Sequence, residues 1–213
     1  MPKRRVPHLD PEGKVCRNAG CHTLTRRARC ATILAMPVIR RTLKRREIPG
    51  HVRYLTCSCY QRLPLFENDW TKNAFAEHLS LVRDRLDVAL YGWVIMPEHI
   101  HLLLTPALPR VTVTDVLRAL KRPFARKVLG RWRRLDAPML RQVCDARRKP
   151  HFWQRGGGYD RNIVTDHELY EKLAYLHANP VRRRLVARPT AWTWSSALWY
   201  ERREGLNMDP LPV

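Results

Sequence analysis

The chain of 213 residues has few acidic residues and no long apolar run. It carries 19 Asp and Glu against 40 Lys and Arg, which gives a formal net charge of +21. No stretch reaches the 18 apolar residues that a transmembrane helix needs. Such an excess of cations favours a polyanionic partner, most often nucleic acid, over a membrane surface.

The six cysteines lack the spacing of a zinc ribbon. Four residues separate Cys16 from Cys21 and eight separate Cys21 from Cys30, without the close C-x2-C pair that such sites use. The sequence has no apolar signal-peptide core, so we expect reduced cysteines in a cytoplasmic, nucleoid-associated protein. An apolar fraction of 45% with seven tryptophans is enough to build one packed domain.

The first 48 residues differ in composition from the rest of the chain. They hold thirteen Lys and Arg, three acids and no sustained hydrophobic period. This composition is typical of a disordered basic arm, although Met36 could also be the true start of the protein. The sequence therefore predicts an arm at 1–48, a folded domain at 49–200 and a C-terminal tail at 201–213.

From His51 onward the pattern predicts alternating strands and helices. Strand patterns cover 51–60, 88–96, 99–105 and 151–154. Helical periodicity covers 69–86, 114–134 and 166–178, with the last helix ending before Asn179-Pro180. The order βαββαβ plus a helix predicts an α+β fold. This is a ferredoxin-like antiparallel sheet with helices on one face and a C-terminal tyrosine-bearing helix.

Two histidines, His99 and His101, form an H-x-H motif on a predicted strand. Alternate strand residues point to the same side, so the two imidazoles face together while Ile100 and Leu102 face the core. Imidazoles in this arrangement can share one Mg²⁺ or Mn²⁺, with positions left for a phosphate oxygen and a third protein ligand. The motif alone also suits ordinary surface or packing histidines, and Glu98 could orient His99 or cap the hairpin.

A tyrosine and an asparagine lie one turn apart on the last predicted helix. Tyr175 and Asn179 are four residues apart, so their side chains project together. A phenol is a weak nucleophile, and a metal bound to a scissile phosphate would assist its attack, with Asn179 as an oxygen ligand. The alternative is a packing role for Tyr175 and a C-cap role for Asn179. Tyr159, beside the glycine run, is a rival nucleophile.

Four segments of the chain resemble a family of DNA-processing proteins. They occur in order between about residue 49 and residue 200: YGWVIMPEHIHLLL, FWQRGGGYDRNIV, YLHANPVRRRLV and WTWSSALWY. They are similar to segments of the REP-associated tyrosine transposases, which belong to the IS200/IS605-like, single-tyrosine HUH transposases.

The resemblance implies a metal-dependent single-strand DNA endonuclease and strand transferase. His99, His101 and Asn179 would bind Mg²⁺ or Mn²⁺, and Tyr175 would form a 5′-phosphotyrosine intermediate on hairpin-forming repeats. The family fold also agrees with the βαββαβ order. The chain departs from the family in the arm before Met36 and at Arg184, where a glycine is usual.

Basic side chains form the predicted DNA-binding surface. They lie on the second long helix and next to the proposed site, at Arg118, Lys121, Arg122, Arg126, Lys127, Arg182, Arg183 and Arg184. So many cations with few nearby acids favour phosphate contacts over a merely solvated helix face. Trp153, Trp192 and Trp194 could stack on single-stranded bases or lie in the core. We expect a monomer or homodimer that binds single-stranded or hairpin DNA.

Two other functions fit parts of the sequence. A non-catalytic DNA-binding protein could keep the fold and the charge, and a small-molecule metal hydrolase could use the H-x-H pair alone. The presence of Tyr175 with both histidines argues against the first, and the net charge of +21 argues against the second.

Overall fold

The computed structural model describes residues 47–156 and 158–212, so nearly all of the predicted basic arm lies outside the described residues. Within them the strands are β1 (Val52–Ser58), β2 (Ala89–Met96), β3 (His99–Thr105) and β4 (Tyr159–Ile163). The α-helices are α1 (Asp69–Leu86), α2 (Val113–Arg134), α3 (Met139–Gln142), α4 (Asp166–Arg182) and α5 (Ala197–Arg202).

The four strands form one antiparallel sheet in the order β2-β3-β1-β4. Helix α1 connects β1 to β2 across the intervening β3, and α2 lies in the connection from β3 to β4. This is the ferredoxin-like arrangement, in which each crossover carries a helix. The predicted α+β class and sheet are confirmed.

Each face of the sheet has its own apolar core. On one face, α1 and α2 pack against residues such as Ile100 and Leu102. On the other face, α4 packs Leu173 and its neighbours against Tyr54 and Leu103. Because strand side chains alternate, adjacent residues of β3 belong to different cores. Helix α4 therefore covers the face to which His99 and His101 point.

The long helices begin at polar side-chain caps. The Asn68 side chain accepts a hydrogen bond from the Trp70 N–H at the start of α1. Thr112 and Asp115 form a reciprocal capping box at the start of α2, and Thr165 accepts from the Glu168 N–H at the start of α4. Each cap satisfies a backbone donor that the helix itself leaves without a partner.

The predicted strand at 151–154 is wrong, and β4 lies after the glycine-rich loop instead. Phe152 and Trp153 are buried in the larger core, where Phe152 packs edge-on against Phe66 and Phe124. Only an isolated bridge joins Trp153 to Cys59 in the part of the chain that the structure describes. The aromatic residues that favoured a strand are there to fill the core, so packing overrides local β preference.

Helix α4 runs through Asn179-Pro180 to Arg182, beyond its predicted end at Ala178. Asn179 and Pro180 are both buried, and the Asn179 carbonyl accepts a hydrogen bond of 3.1 Å from the Arg183 N–H. Burial of the last turn outweighs the tendency of proline to end a helix at the residue before it. Asn179 is thus an interior helical residue and not a C-cap.

Strand β4 is held tightly against β1. Arg53 and Asp160 form a buried ion pair of 2.5 Å across the two strands. Gly158, with φ +70°, brings the chain so close that a Cβ there would lie 2.1 Å from the Thr56 carbonyl oxygen. Only glycine allows this approach, which places Tyr159 directly opposite Thr56.

The segment predicted as a C-terminal tail contacts the domain. Met208 is buried, and the Asp209 carboxylate accepts a 2.7 Å hydrogen bond from the Leu90 N–H and pairs with Arg83. Across residues 47–156 and 158–212, none of the helices combines the length and the apolar character needed to cross a membrane.

Gly158→Ala should lower the free energy of unfolding by about 2 to 4 kcal/mol, because it adds a clash with Thr56 to the strain of a positive φ. Gly156→Ala is the matched control, since its φ is +103° but its Cβ would meet no atom within 4 Å. It should cost only about 1 kcal/mol. Urea unfolding of both variants measures the difference, and equal losses would contradict the close approach of β4 to β1.

Candidate functional site

The imidazoles of His99 and His101 converge on the face of the sheet that α4 covers. Their Nε2 atoms are 2.9 Å apart, and the ring planes are nearly perpendicular, at 80°. Two neighbouring ligands of an octahedral ion, each bound at about 2.1 Å, would be about 3.0 Å apart. The donor pair therefore has the spacing that adjacent ligands of one divalent cation require.

The position of His101 is set from β1. Thr56 lies directly opposite His101 in the strand register, and its Oγ1 is 2.8 Å from the His101 Nδ1. The Tyr54 Oη is also 2.8 Å from Nδ1, and the Tyr54 ring stacks on the imidazole. Donation of the Nδ1 proton to either hydroxyl oxygen leaves the Nε2 lone pair free in the cleft.

The position of His99 is set by a carboxylate. The Glu98 Oε1 lies 3.3 Å from the His99 Nδ1 and also accepts a 2.6 Å hydrogen bond from the Arg183 guanidinium. Of the two roles considered for Glu98, this contact supports orientation of His99. A carboxylate on Nδ1 is a common support for a metal-binding histidine.

Burial keeps both imidazoles neutral. It lowers the pKa of His101 to about 3, with a further contribution from the neighbouring His99. Burial also lowers the pKa of His99, although the Glu98 carboxylate opposes that shift. Near pH 7 both rings are unprotonated at one nitrogen, which is the state that binds metal.

Helix α4 brings Tyr175 and Asn179 to the histidines. The Tyr175 ring centroid is 6.1 Å from that of His101, and its side chain is 42% exposed. Asn179 is 7% exposed, and the four side chains line one cleft of about 380 Å³. The Arg182 guanidinium lies 4.9 Å from the centre of the Tyr175 ring, in cation–π contact with it.

Gly92 on β2 leaves room for a side chain of α4. A Cβ at Gly92 would be 2.7 Å from the Leu173 Cδ1. The Leu173 side chain fills this space in the core between α4 and the sheet.

Several residues at the site were not identified from the sequence. Thr56, Ser58 and Arg62 line the cleft with the predicted residues, and Tyr54 lies behind His101. The alternation of β1 would have placed Tyr54, Thr56 and Ser58 on one face. Their contact with the histidines depends on the register between β1 and β3, which the sequence pattern does not specify.

The predicted DNA-binding residues fall into two separate groups. Arg182 and Arg183 line the cleft, with Arg184 exposed beside them. Helix α2 packs on the opposite face of the sheet, so its predicted cations do not join the histidines: Arg118, Lys121, Arg122, Arg126 and Lys127. Of the tryptophans considered for stacking on DNA bases, Trp153 is buried in the core. Trp194 is in cation–π contact with Lys72, whose Nζ lies 3.9 Å from the centre of its ring.

The rival nucleophile Tyr159 also lies near His101. Its ring packs edge-on against Tyr54 at 5.9 Å, and it lines a second cleft with His101 and Tyr175. It does not line the cleft that contains His99 and Asn179. Of the two tyrosines, Tyr175 therefore shares a cleft with all three predicted metal ligands.

The structure does not contain a cluster of three or more His, Cys, Asp or Glu side chains suited to a metal within the described residues. Asn179, the third predicted ligand, lines the same cleft as the histidine pair. An amide oxygen suits Mg²⁺ and Mn²⁺, which prefer oxygen donors, while an imidazole pair also binds Mn²⁺.

The sequence matches the profile of the family described as "Transposase IS200 like" over residues 51–179, more than half of the chain. The chain belongs to the IS200-like transposase family. The matched segment runs from His51, the residue before β1, to Asn179. It contains His99, His101, Tyr175 and Asn179. Among proteins of curated function, none matches the sequence of this transposase significantly.

Two solved structures are similar to this transposase. A REP-associated tyrosine transposase bound to a REP hairpin has a TM-score of 0.58 and 17% identity, and the alignment covers 80% of this chain and 94% of that chain. A protein described as a transposase from Deinococcus radiodurans R1 has a TM-score of 0.41 and 20% identity, over 63% of this chain and 95% of that chain. The first supports a shared fold, whereas the second similarity is too low to do so.

Arg184 occupies the left-handed turn that ends α4. Its φ is +56°. The Arg184 N–H donates to the Val181 carbonyl and the Leu185 N–H to the Pro180 carbonyl, each at 2.9 Å, which is the Schellman pattern. Glycine adopts this conformation without strain, which agrees with the glycine that the resemblance leads us to expect here. The arginine preserves the turn, at the expense of backbone strain.

Arg184→Gly should therefore raise the free energy of unfolding by about 1 kcal/mol relative to Arg184→Ala, because glycine adopts this φ without strain. Both variants lose the same charge, so their affinities for DNA should fall equally. Urea unfolding and oligonucleotide titration measure the two effects. Equal stability of the two variants would show that the turn is unstrained.

Proposed function

We propose that the protein is a metal-dependent single-strand DNA endonuclease and strand transferase with Tyr175 as its nucleophile. The convergence of two imidazole Nε2 atoms, Asn179 and Tyr175 in one cleft carries this proposal. Membership of the IS200-like transposase family supports DNA as the substrate.

The side chains at the cleft fit a divalent cation. His99 and His101 are neutral, their Nε2 atoms have suitable spacing, and Asn179 is a buried oxygen donor beside them. These three residues would hold Mg²⁺ or Mn²⁺. When bound, the ion would act as a Lewis acid that stabilises negative charge on the scissile phosphate.

Tyr175 attacks the phosphorus of the scissile phosphodiester through its phenolic oxygen. The Tyr175 hydroxyl releases its proton to solvent as it attacks, and the bond between phosphorus and the 3′ oxygen breaks. The 5′ phosphate remains on the tyrosine, and the leaving 3′ oxygen takes up a proton from solvent. Attack by a 3′-OH on the phosphotyrosine reverses these steps, so rejoining needs no ATP.

The two groups of cations would contact different parts of the DNA. Arg182 and Arg183 lie at the cleft, where they would position the cleaved strand. The cations of α2 would hold backbone phosphates elsewhere on the substrate. The similar transposase bound to a REP hairpin supports hairpin-forming repeats as the substrate of this chain. Such a protein would work on the nucleoid in the cytoplasm, as a monomer or homodimer.

Wild-type protein should form a covalent adduct with labelled single-stranded DNA from the repeats flanking its gene, when Mg²⁺ or Mn²⁺ is present. Tyr175→Phe should abolish the adduct because it removes the attacking oxygen. His99→Ala should lower adduct formation by at least about 100-fold, because it removes a metal ligand. Denaturing gels with the full chain measure the label that remains on the protein.

Tyr159→Phe is the matched control for this experiment, since it removes the hydroxyl of the rival tyrosine and should leave the adduct intact. An adduct that survives Tyr175→Phe but not Tyr159→Phe would identify Tyr159 as the nucleophile. DNA binding without an adduct in either metal would instead indicate a non-catalytic DNA-binding protein that retains the fold.

Removing both hydroxyl partners of His101, in Tyr54→Phe with Thr56→Val, should weaken Mn²⁺ binding by about 10-fold to 100-fold. The reason is that the Nδ1 atom loses the contacts that orient the ring and select its tautomer. Electron paramagnetic resonance of Mn²⁺ titrations without DNA measures the affinity. Ser58→Ala is the control, as it removes a hydroxyl of the same cleft that makes no contact with His101. An equal loss in the control would contradict the positioning role.

A further inference from the structure

A second, smaller cleft adjoins the first and shares Thr56, His101 and Tyr175 with it. Its volume is about 280 Å³, and Tyr54, Tyr159 and Lys172 complete its lining. The proposed cleavage step uses neither Tyr159 nor Lys172. Both nevertheless share this cleft with Tyr175, the proposed nucleophile.

Tyr159 is a firmly placed aromatic ring that is half exposed. Its backbone pairs with Thr56 immediately after Gly158, and its ring edge packs on Tyr54, which in turn stacks on His101. Half of the side chain, 50%, still faces solvent. An exposed aromatic ring held by its neighbours is the platform on which proteins stack single-stranded bases.

Lys172 is a half-buried cation without a counter-ion among residues 47–156 and 158–212. No hydrogen bond or ion pair of its ammonium group occurs there, and no carboxylate lines the cleft. A cation in this position is available to a phosphate. The cleft thus offers an aromatic surface and a positive charge, which suit the base and the phosphate of one nucleotide.

We propose that this cleft binds the nucleotide next to the scissile phosphate, with its base against Tyr159 and a flanking phosphate at Lys172. The volume lies just below the roughly 300 to 1,000 Å³ typical of sites for drug-sized ligands, which suits a single base. This inference rests on the proposed function, because the scissile phosphate at the histidine pair determines which nucleotide reaches the cleft. Tyr159 is then a positioning residue and not a second nucleophile.

The test measures DNA affinity in a Tyr175→Phe background, where binding is independent of cleavage. The probe is single-stranded DNA from the repeats flanking the gene, with an abasic site placed at each position in turn. One abasic position should lower affinity by about 5-fold to 150-fold, which is the contribution of one stacked base. Tyr159→Ala should cause a similar loss on intact DNA.

The abasic site and Tyr159→Ala combined should lower the DNA affinity little more than either change alone, because both remove the same contact. Tyr159→Phe should retain the affinity. Tyr170→Ala is the matched control, since Tyr170 on α4 is also 50% exposed but lies outside the cleft, and it should have no effect. Lys172→Ala should weaken binding and reduce its salt dependence by about one counterion, whereas Lys172→Arg should not.

The proposed subsite would be wrong if the abasic site and Tyr159→Ala lowered the DNA affinity additively, or if Tyr159→Ala did not lower it. Adduct formation by the wild-type protein is measured separately. A normal adduct with additive losses rejects the subsite and keeps the proposed function. Non-additive losses without any adduct support the subsite and reject the nucleophilic role of Tyr175.

Discussion

The antiparallel register between β1 and β3 determines the geometry of the candidate site. It sets Thr56 opposite His101 and Ser58 opposite His99, on the face covered by α4. The hydroxyls of Thr56 and Tyr54 then reach the Nδ1 of His101, which leaves its Nε2 towards His99. A shift of one residue would turn both imidazoles into the core beneath α1 and α2, since strand side chains alternate with a period of two.

The same contacts explain how polar rings can be buried here. Burial of an imidazole is costly unless its nitrogens have partners. At Nδ1, His101 meets the hydroxyls of Tyr54 and Thr56, and His99 meets the Glu98 carboxylate. Both Nε2 atoms then face the cleft. The network thus stabilises neutral rings in a fixed orientation. That property makes the pair suitable as metal ligands, so stability and proposed function depend on the same hydrogen bonds.

The charge of the protein is distributed to favour phosphate at the cleft. Glu98 is the single carboxylate among the described residues that line it, and Arg183 and His99 both face that carboxylate. Arg62 and Arg182 add positive charge at the rim, so the cleft keeps a field that attracts anions. The cations of α2 lie on the opposite side of the sheet. A single DNA strand bound in the cleft would therefore contact only part of the basic surface.

The sequence by itself determined the features that follow from local geometry. Alternation along β3 predicted that His99 and His101 face together, the helical period predicted the same of Tyr175 and Asn179, and the element order predicted the ferredoxin-like sheet. These inferences succeeded because they need only the repeat of a strand or helix.

Only the tertiary structure decided what lies around those residues. Strand pairing placed Tyr54 and Thr56 against His101, and the close approach of the backbone at Gly158 positioned β4. Core packing put Phe152 and Trp153 where a strand was expected and carried α4 through Pro180. Each of these outcomes depends on contacts between segments that are distant in sequence. The energies of such contacts exceed local conformational preferences, and the hydrophobic period of a single segment does not indicate them.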